Sequence, residues 1–171
     1  QVMSLTSRAS FPGTARLRSP AEFAPALKGR RLARGALFVL SVAPPQAGQD
    51  APSGDTVTQI AATPQARLGL VIGKRYAPLS VSRNAIKRMI REAFRHKRLA
   101  LPVGDYVVRL HTRIPSVSLT ALKHMTRLEM DGHWLRAARA GRADRSSDSR
   151  PRAVDNAVTP DKGAERDGTR V

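Results

Sequence analysis

The chain has 171 residues, 41% of them hydrophobic, and a formal charge of +17, which suits one domain with appendages and points to a polyanionic partner. It contains no cysteine, excluding disulfides, thiolate catalysis and cysteine-based metal sites, and no apolar run reaches the roughly 20 residues of a membrane span. The charge is concentrated in residues 67–113, where twelve Lys/Arg face only Glu92 and Asp105, so it marks a basic surface on a folded region rather than a loose tail.

In chain order, residues 1–15 read as a flexible segment without a secretory apolar stretch, and a cytoplasmic location is expected. Ser19-Pro20-Ala21-Glu22 has the form of a helix entry, with a capping serine, a proline in the first turn and a glutamate three residues on. Pro25 is expected to interrupt this helix and Lys28-Gly29 to end it. Leu37–Val42 reads as a strand. Pro44, Pro45, Gly48, Pro52, Gly54 and Pro64 then punctuate a disordered insertion at about 43–66. A second strand is expected at Leu68–Ile72, followed by a turn at Ala77-Pro78 and a helix from Ser82 through Arg95, with Ser80 or Ser82 as cap. Pro102 and Gly104 close that helix, and Asp105–Leu110 alternates as a third strand. After Pro115 the spacing predicts a last helix through about Ala140, its apolar positions being Leu119, Leu122, Met125, Leu128 and Trp134, with Asp131-Gly132 weakening its second half. Residues 141–171 lack apolar periodicity and read as a disordered tail. The folded domain is therefore placed at 16–140, with an α+β architecture in which a small sheet packs with helices in the order α-β-β-α-β-α, leaving room for one further strand.

The segment 82–95 carries the chemistry. Ile86, Met89, Ile90, Ala93 and Phe94 follow the spacing of a core-facing stripe, while Asn84, Lys87, Arg88, Arg91 and Arg95 gather on another face. Glu92 is the only acid between Arg83 and Arg98. Like-charge pairs such as Lys87–Arg91 and Arg91–Arg95 each cost a few tenths of a kcal/mol, a cost that phosphates lying between them would offset. Lys74 and Arg75 add cations after the second strand, and Arg67 and Arg109 stand further along the sheet. Gly69 to Lys74 lacks the spacing and the Ser/Thr of a phosphate loop. The four histidines have no metal-ligand spacing, and the few acids form no helical pair, so no catalytic or metal-binding residue of the chain's own is expected. Phe23 and Phe38 are the candidates to stack unpaired bases, an interaction worth about 1–3 kcal/mol per base; Phe38 could equally serve the core, whereas Phe23 is read as exposed, since Leu17 and Leu27 could supply the core contacts there.

Taken together, Arg67-Leu68-Gly69-Leu70-Val71-Ile72-Gly73-Lys74-Arg75 and Ser82–Arg95 resemble the bacterial ribonuclease P protein component, as do Arg16–Phe23, Arg34–Leu40 and Gly104–Val108. The resemblance implies a fold like domain 2 of ribosomal protein S5, with a left-handed βαβ crossover. It implies an accessory subunit that binds ribonuclease P RNA and precursor tRNA, the catalytic RNA with its Mg²⁺ removing the 5′ leader. No membrane and no small-molecule cofactor would be involved. By position, Arg83, Asn84, Lys87, Arg88, Arg91 and Arg95 would contact the RNA with Lys74 and Arg75 nearby, and Phe23 and Phe38 would belong to the leader cleft. Three positions depart from the pattern: Ala85 in place of the last arginine of an Arg-Asn-Arg triplet, and Leu27 and Ser41 where aromatics are common. The alternatives are a ribosomal or general structured-RNA-binding protein, a nuclease with its own active site, or a DNA-binding protein.

Overall fold

The computed structural model describes residues 11–44 and 65–148; residues 1–10, the central part of the insertion and the tail from 149 lie outside them. Seven elements follow in order: α1 (Pro20–Lys28), β1 (Arg30–Arg34), β2 (Phe38–Ala43), β3 (Arg67–Val71), α2 (Ser80–Lys97), β4 (Asp105–Leu110) and α3 (Leu119–Asp148). The sheet order is β1-β2-β4-β3. β1 and β4 run antiparallel to β2, while β3 lies parallel to β4, so α2 is the crossover of a β3–α2–β4 unit.

Side chains alternate across the sheet. Phe38, Leu40, Leu68, Tyr106, Val108 and Leu110 face α2 and α3 in the main core, whereas Leu17, Ala26, Ala43 and Val107 form a smaller cluster under α1. Trp134 of α3 centres the main core, its ring 5.3 Å from Phe94 and 6.0 Å from Tyr106. Burial pushes the Tyr106 phenol up to about 12, and its hydroxyl donates to the Pro102 carbonyl at 2.8 Å, which satisfies the polar end of a buried ring.

Polar links fix the layers. Glu22 accepts the backbone N–H of Arg18 and Ser19 at 2.7 and 2.8 Å, the capping box expected at α1. Its other oxygen meets Arg67 at 2.9 Å, and Arg67 also grips the buried Asp105 through two bonds of 2.7 and 2.9 Å. Arg67 is thus committed to joining α1, β3 and β4 and is not a surface cation. Burial raises the Glu22 carboxyl, but the two N–H bonds and the Arg67 charge outweigh it, leaving the group below its ordinary value. On the other face, Glu129 of α3 accepts the N–H of Phe38 at 2.7 Å and of Leu37 at 3.1 Å, and His133 bonds the Phe38 carbonyl at 3.1 Å.

Several expectations are corrected. Pro25 lies inside α1 without ending it, because the carbonyl it leaves unbonded belongs to exposed Ala21, where water can satisfy it. The further strand is β1, whose arginines conceal it: an edge strand tolerates charge. α2 begins after Leu79 with no side-chain cap; Ser80 and Ser82 lie within its first turn. α3 does not weaken at Asp131-Gly132 or end near Ala140 but continues to Asp148. Its buried stripe is Leu122, Thr126, Met130, His133, Trp134, Ala137 and Gly141, while Leu119 and Leu128 face outward. Residues 11–15 belong to the fold, since Phe11 packs on Phe94 and Ala15 is buried. Among the described residues no helix is long and apolar enough to cross a membrane.

Candidate nucleic-acid interface

α2 divides its residues cleanly between two environments. Ile86, Ile90, Ala93 and Phe94 are buried, while Asn84, Arg88 and Arg91 are exposed and Lys87 and Arg95 half-buried. Among the described residues no carboxylate pairs with Lys87, Arg88 or Arg91. Arg95 differs, because Glu92 holds it at 2.5 Å and also meets His96 at 2.9 Å. Those two hydrogen bonds keep the Glu92 carboxyl below its ordinary value. Arg83 sits apart from the exposed stripe: its guanidinium donates to the Ala77 and Pro78 carbonyls at 2.8 and 2.6 Å, bracing the turn before α2. Ala85 is buried, so its position faces the packed side of the helix.

The segment before α1 completes this surface. Leu17 donates its N–H to the Leu68 carbonyl at 3.0 Å, and Arg16 forms a parallel bridge to Leu68, so the chain runs along the free edge of β3. Phe11 meets Phe94 edge-on at 5.6 Å. The Arg16 guanidinium lies 4.7 Å from the Phe11 ring centre, within cation–π range. One depression is lined by Phe11, Arg16, Asn84, Arg88, Arg91, Glu92 and Arg95. A second, sharing Phe11, Arg16 and Arg91, reaches Lys87, Leu17 and Phe23. Phe11 and Arg16 were not among the candidate residues read from the sequence, since Phe11 lies in a stretch without periodicity and Arg16 has no helical context.

Phe23 and Phe38 separate. Phe23 is half-buried over Gly69, where an added Cβ would come within 2.5 Å of its ring; the glycine lets the ring lie close on the sheet. Phe38 is fully buried in the main core, on the opposite face from α1, so it is unavailable for stacking and its place in the leader cleft is corrected. A third groove on the α1 side contains Leu27 and Ser41 together with Arg31, Arg34, Val39 and Arg109. The two departures from the family pattern therefore share one groove, and its cations include two from the strand that sequence reasoning left unassigned. Lys74 and Arg75 are exposed on the turn after β3, with Arg75 5.7 Å from the Tyr76 ring centre; neither lines these depressions. Among the described residues no group of three or more His, Asp or Glu is placed to hold a metal ion.

The structure is thus an α+β domain with an arginine-lined helix face and a basic groove on its sheet, and comparison with known proteins gives its family. The sequence model described as Ribonuclease P matches residues 11–137. The chain is 56% identical over 133 residues to the ribonuclease P protein component of Bordetella avium, covering 78% of this chain and 99% of that protein. It is 54% identical over 132 residues to that of Bordetella parapertussis, covering 77% and 98%, and 36% identical over 140 residues to that of Paraburkholderia xenovorans, covering 79% and 88%. The solved Staphylococcus aureus RNase P protein aligns with a TM-score of 0.48 at 20% identity, over 68% of this chain and 92% of that one. The chain belongs to the ribonuclease P protein family.

Proposed function

We propose that this chain is the protein subunit of ribonuclease P, acting as accessory to a catalytic RNA in the 5′ maturation of tRNA. In this reading Asn84, Lys87, Arg88 and Arg91 lie along phosphates of ribonuclease P RNA, and Lys74 and Arg75 add charge where β3 turns toward α2. The α1 side of the sheet, from Phe23 to Arg31, Arg34 and Arg109, takes the single-stranded leader of precursor tRNA. Mg²⁺ and the cleavage chemistry belong to the RNA, and no residue of this chain is assigned to either. The protein's contribution is electrostatic: cations on a rigid surface replace some of the divalent ions that screen closely packed phosphates.

The observation that carries this reading is the cationic stripe of α2, where Lys87, Arg88 and Arg91 have no carboxylate partner among the described residues. Such a stripe repels itself in the free protein and gains most from phosphate neutralisation. The test is reconstitution of precursor-tRNA cleavage with the family's RNA subunit across a magnesium titration. Arg88→Ala should weaken RNA binding about tenfold, the scale of one charged hydrogen bond, and raise the magnesium requirement while leaving the fold intact. Unchanged affinity and magnesium dependence would remove this reading.

A further inference from the structure

We infer that Arg16 and Arg91 form a two-sided clamp for a single RNA phosphate, with Phe11 as the platform that holds Arg16 in place. The inference rests on the RNA-binding reading above and assigns a residue outside the family's helix motif to it.

Arg16 and Arg91 come from different elements, the segment along the β3 edge and the exposed face of α2, yet both line the two adjoining depressions. Neither has a carboxylate partner among the described residues. Glu92, the one acid on the same wall, is engaged by Arg95 and His96. Two guanidiniums sharing a concavity repel, and partial burial together with the Arg16 charge lowers the affinity of Arg91 for its proton. Arg16 has little freedom to escape. Its guanidinium rests on the Phe11 ring and donates to the Phe11 carbonyl at 3.4 Å, while its backbone bridges Leu68. Phe11 is in turn seated edge-on against Phe94 in the core. A guanidinium held in place and a second one facing the same concavity are complementary to a single anion that accepts from both, and guanidinium forks match phosphate oxygens in geometry. The clamp stands where the α2 surface meets the Phe23 groove, so the phosphate it takes fixes the register of the RNA between the two.

The test is a double-mutant cycle on binding to the family's catalytic RNA, measured over a range of salt. Arg16→Gln and Arg91→Gln should each weaken binding about tenfold and each reduce the slope of log K against log salt by about one phosphate's worth, roughly 0.7–0.9. If they share a phosphate, the double variant should bind little worse than either single one, where independent contacts would multiply to about a hundredfold. Phe11→Leu, which keeps the apolar contact with Phe94, should weaken binding two- to fivefold and have no further effect in the Arg16→Gln background. Thermal melting of each variant separates loss of fold from loss of contact, and Arg16→Lys, keeping charge but not the fork, should rescue only part of the affinity. A multiplicative double variant, or an Arg16→Gln protein with wild-type affinity and slope, overturns the clamp. If Arg88→Ala still loses affinity in that case, the broader RNA-binding reading survives; if it does not, both fall.

Discussion

Glu129 shows how one side chain can bind two layers. Its carboxylate receives the N–H groups of Leu37 and Phe38 where β2 begins, and His133 lies 3.6 Å away. Burial pushes this carboxyl up, but the nearby His133 and the N–H bonds from Phe38 and Leu37 prevail, so it sits below the ordinary 4.5. A carboxyl with a depressed folded pKa binds its proton more readily when the chain unfolds. Its stabilisation is therefore complete above the unfolded value and is lost as pH falls through the folded one. We expect the urea midpoint to decline on acidification below about pH 4.5, and Glu129→Gln to flatten that decline while lowering stability at neutral pH by about 1–3 kcal/mol, the cost of an imperfectly satisfied buried donor. A decline of equal steepness in the variant would assign the pH dependence elsewhere. Little in the local sequence marks Glu129, because the backbone N–H groups it receives lie more than 90 residues away. Phe38 was ambiguous for a related reason: a phenylalanine in a strand is legible as half-buried or buried only once the side each helix covers is known.

Among the elements, α2 was the most legible and α3 the least. In α2 the apolar and cationic stripes differ sharply in residue type, so period alone separates Ile86, Ile90 and Phe94 from Arg88 and Arg91. In α3 the buried stripe includes Thr126, His133 and Gly141, which hydrophobicity cannot flag. Thr126 is satisfied by its own helix, bonding the Leu122 carbonyl at 2.8 Å, and Gly141 is small because the Pro102 ring occupies the space a side chain would need. Exposed leucines on the opposite side supplied a misleading pattern. The two faces are separable by experiment. Met130→Ala should cost about 2–5 kcal/mol, as for other fully buried side chains, whereas Leu128→Ala, at a position 61% exposed, should stay within about 0.5 kcal/mol of wild type in denaturant titration. Equal losses at the two positions would show that α3 is rotated relative to the packing described.

For the whole molecule, the order of elements and the α+β class were readable, but the joints between distant segments were not. Arg67, Asp105 and Glu22 are separated by 38 and 45 residues, and each alone looks like a surface charge. Together they fasten α1 to the parallel pair β3–β4, which positions Phe23 beside the α2 stripe. Asp105→Asn should destabilise the protein by about 1–3 kcal/mol, because Arg67 keeps Glu22 but loses the charge of its buried Asp105 partner. Double substitution with Arg67→Met should cost more than Asp105→Asn alone, because it also takes the cation from the partly buried Glu22. A variant as stable as wild type by chemical denaturation would mean the pair contributes nothing to the assembly of the fold.

The chain segment seated against Leu68 lies along the β3 edge of the sheet, and the three arginines of β1 discourage strand addition at the other edge. A protein carrying +17 is normally kept apart from its copies by repulsion, which concentrated electrolyte removes. At the β3 edge the barrier to strand addition is backbone pairing, which salt does not screen, so dispersal there does not depend on charge alone.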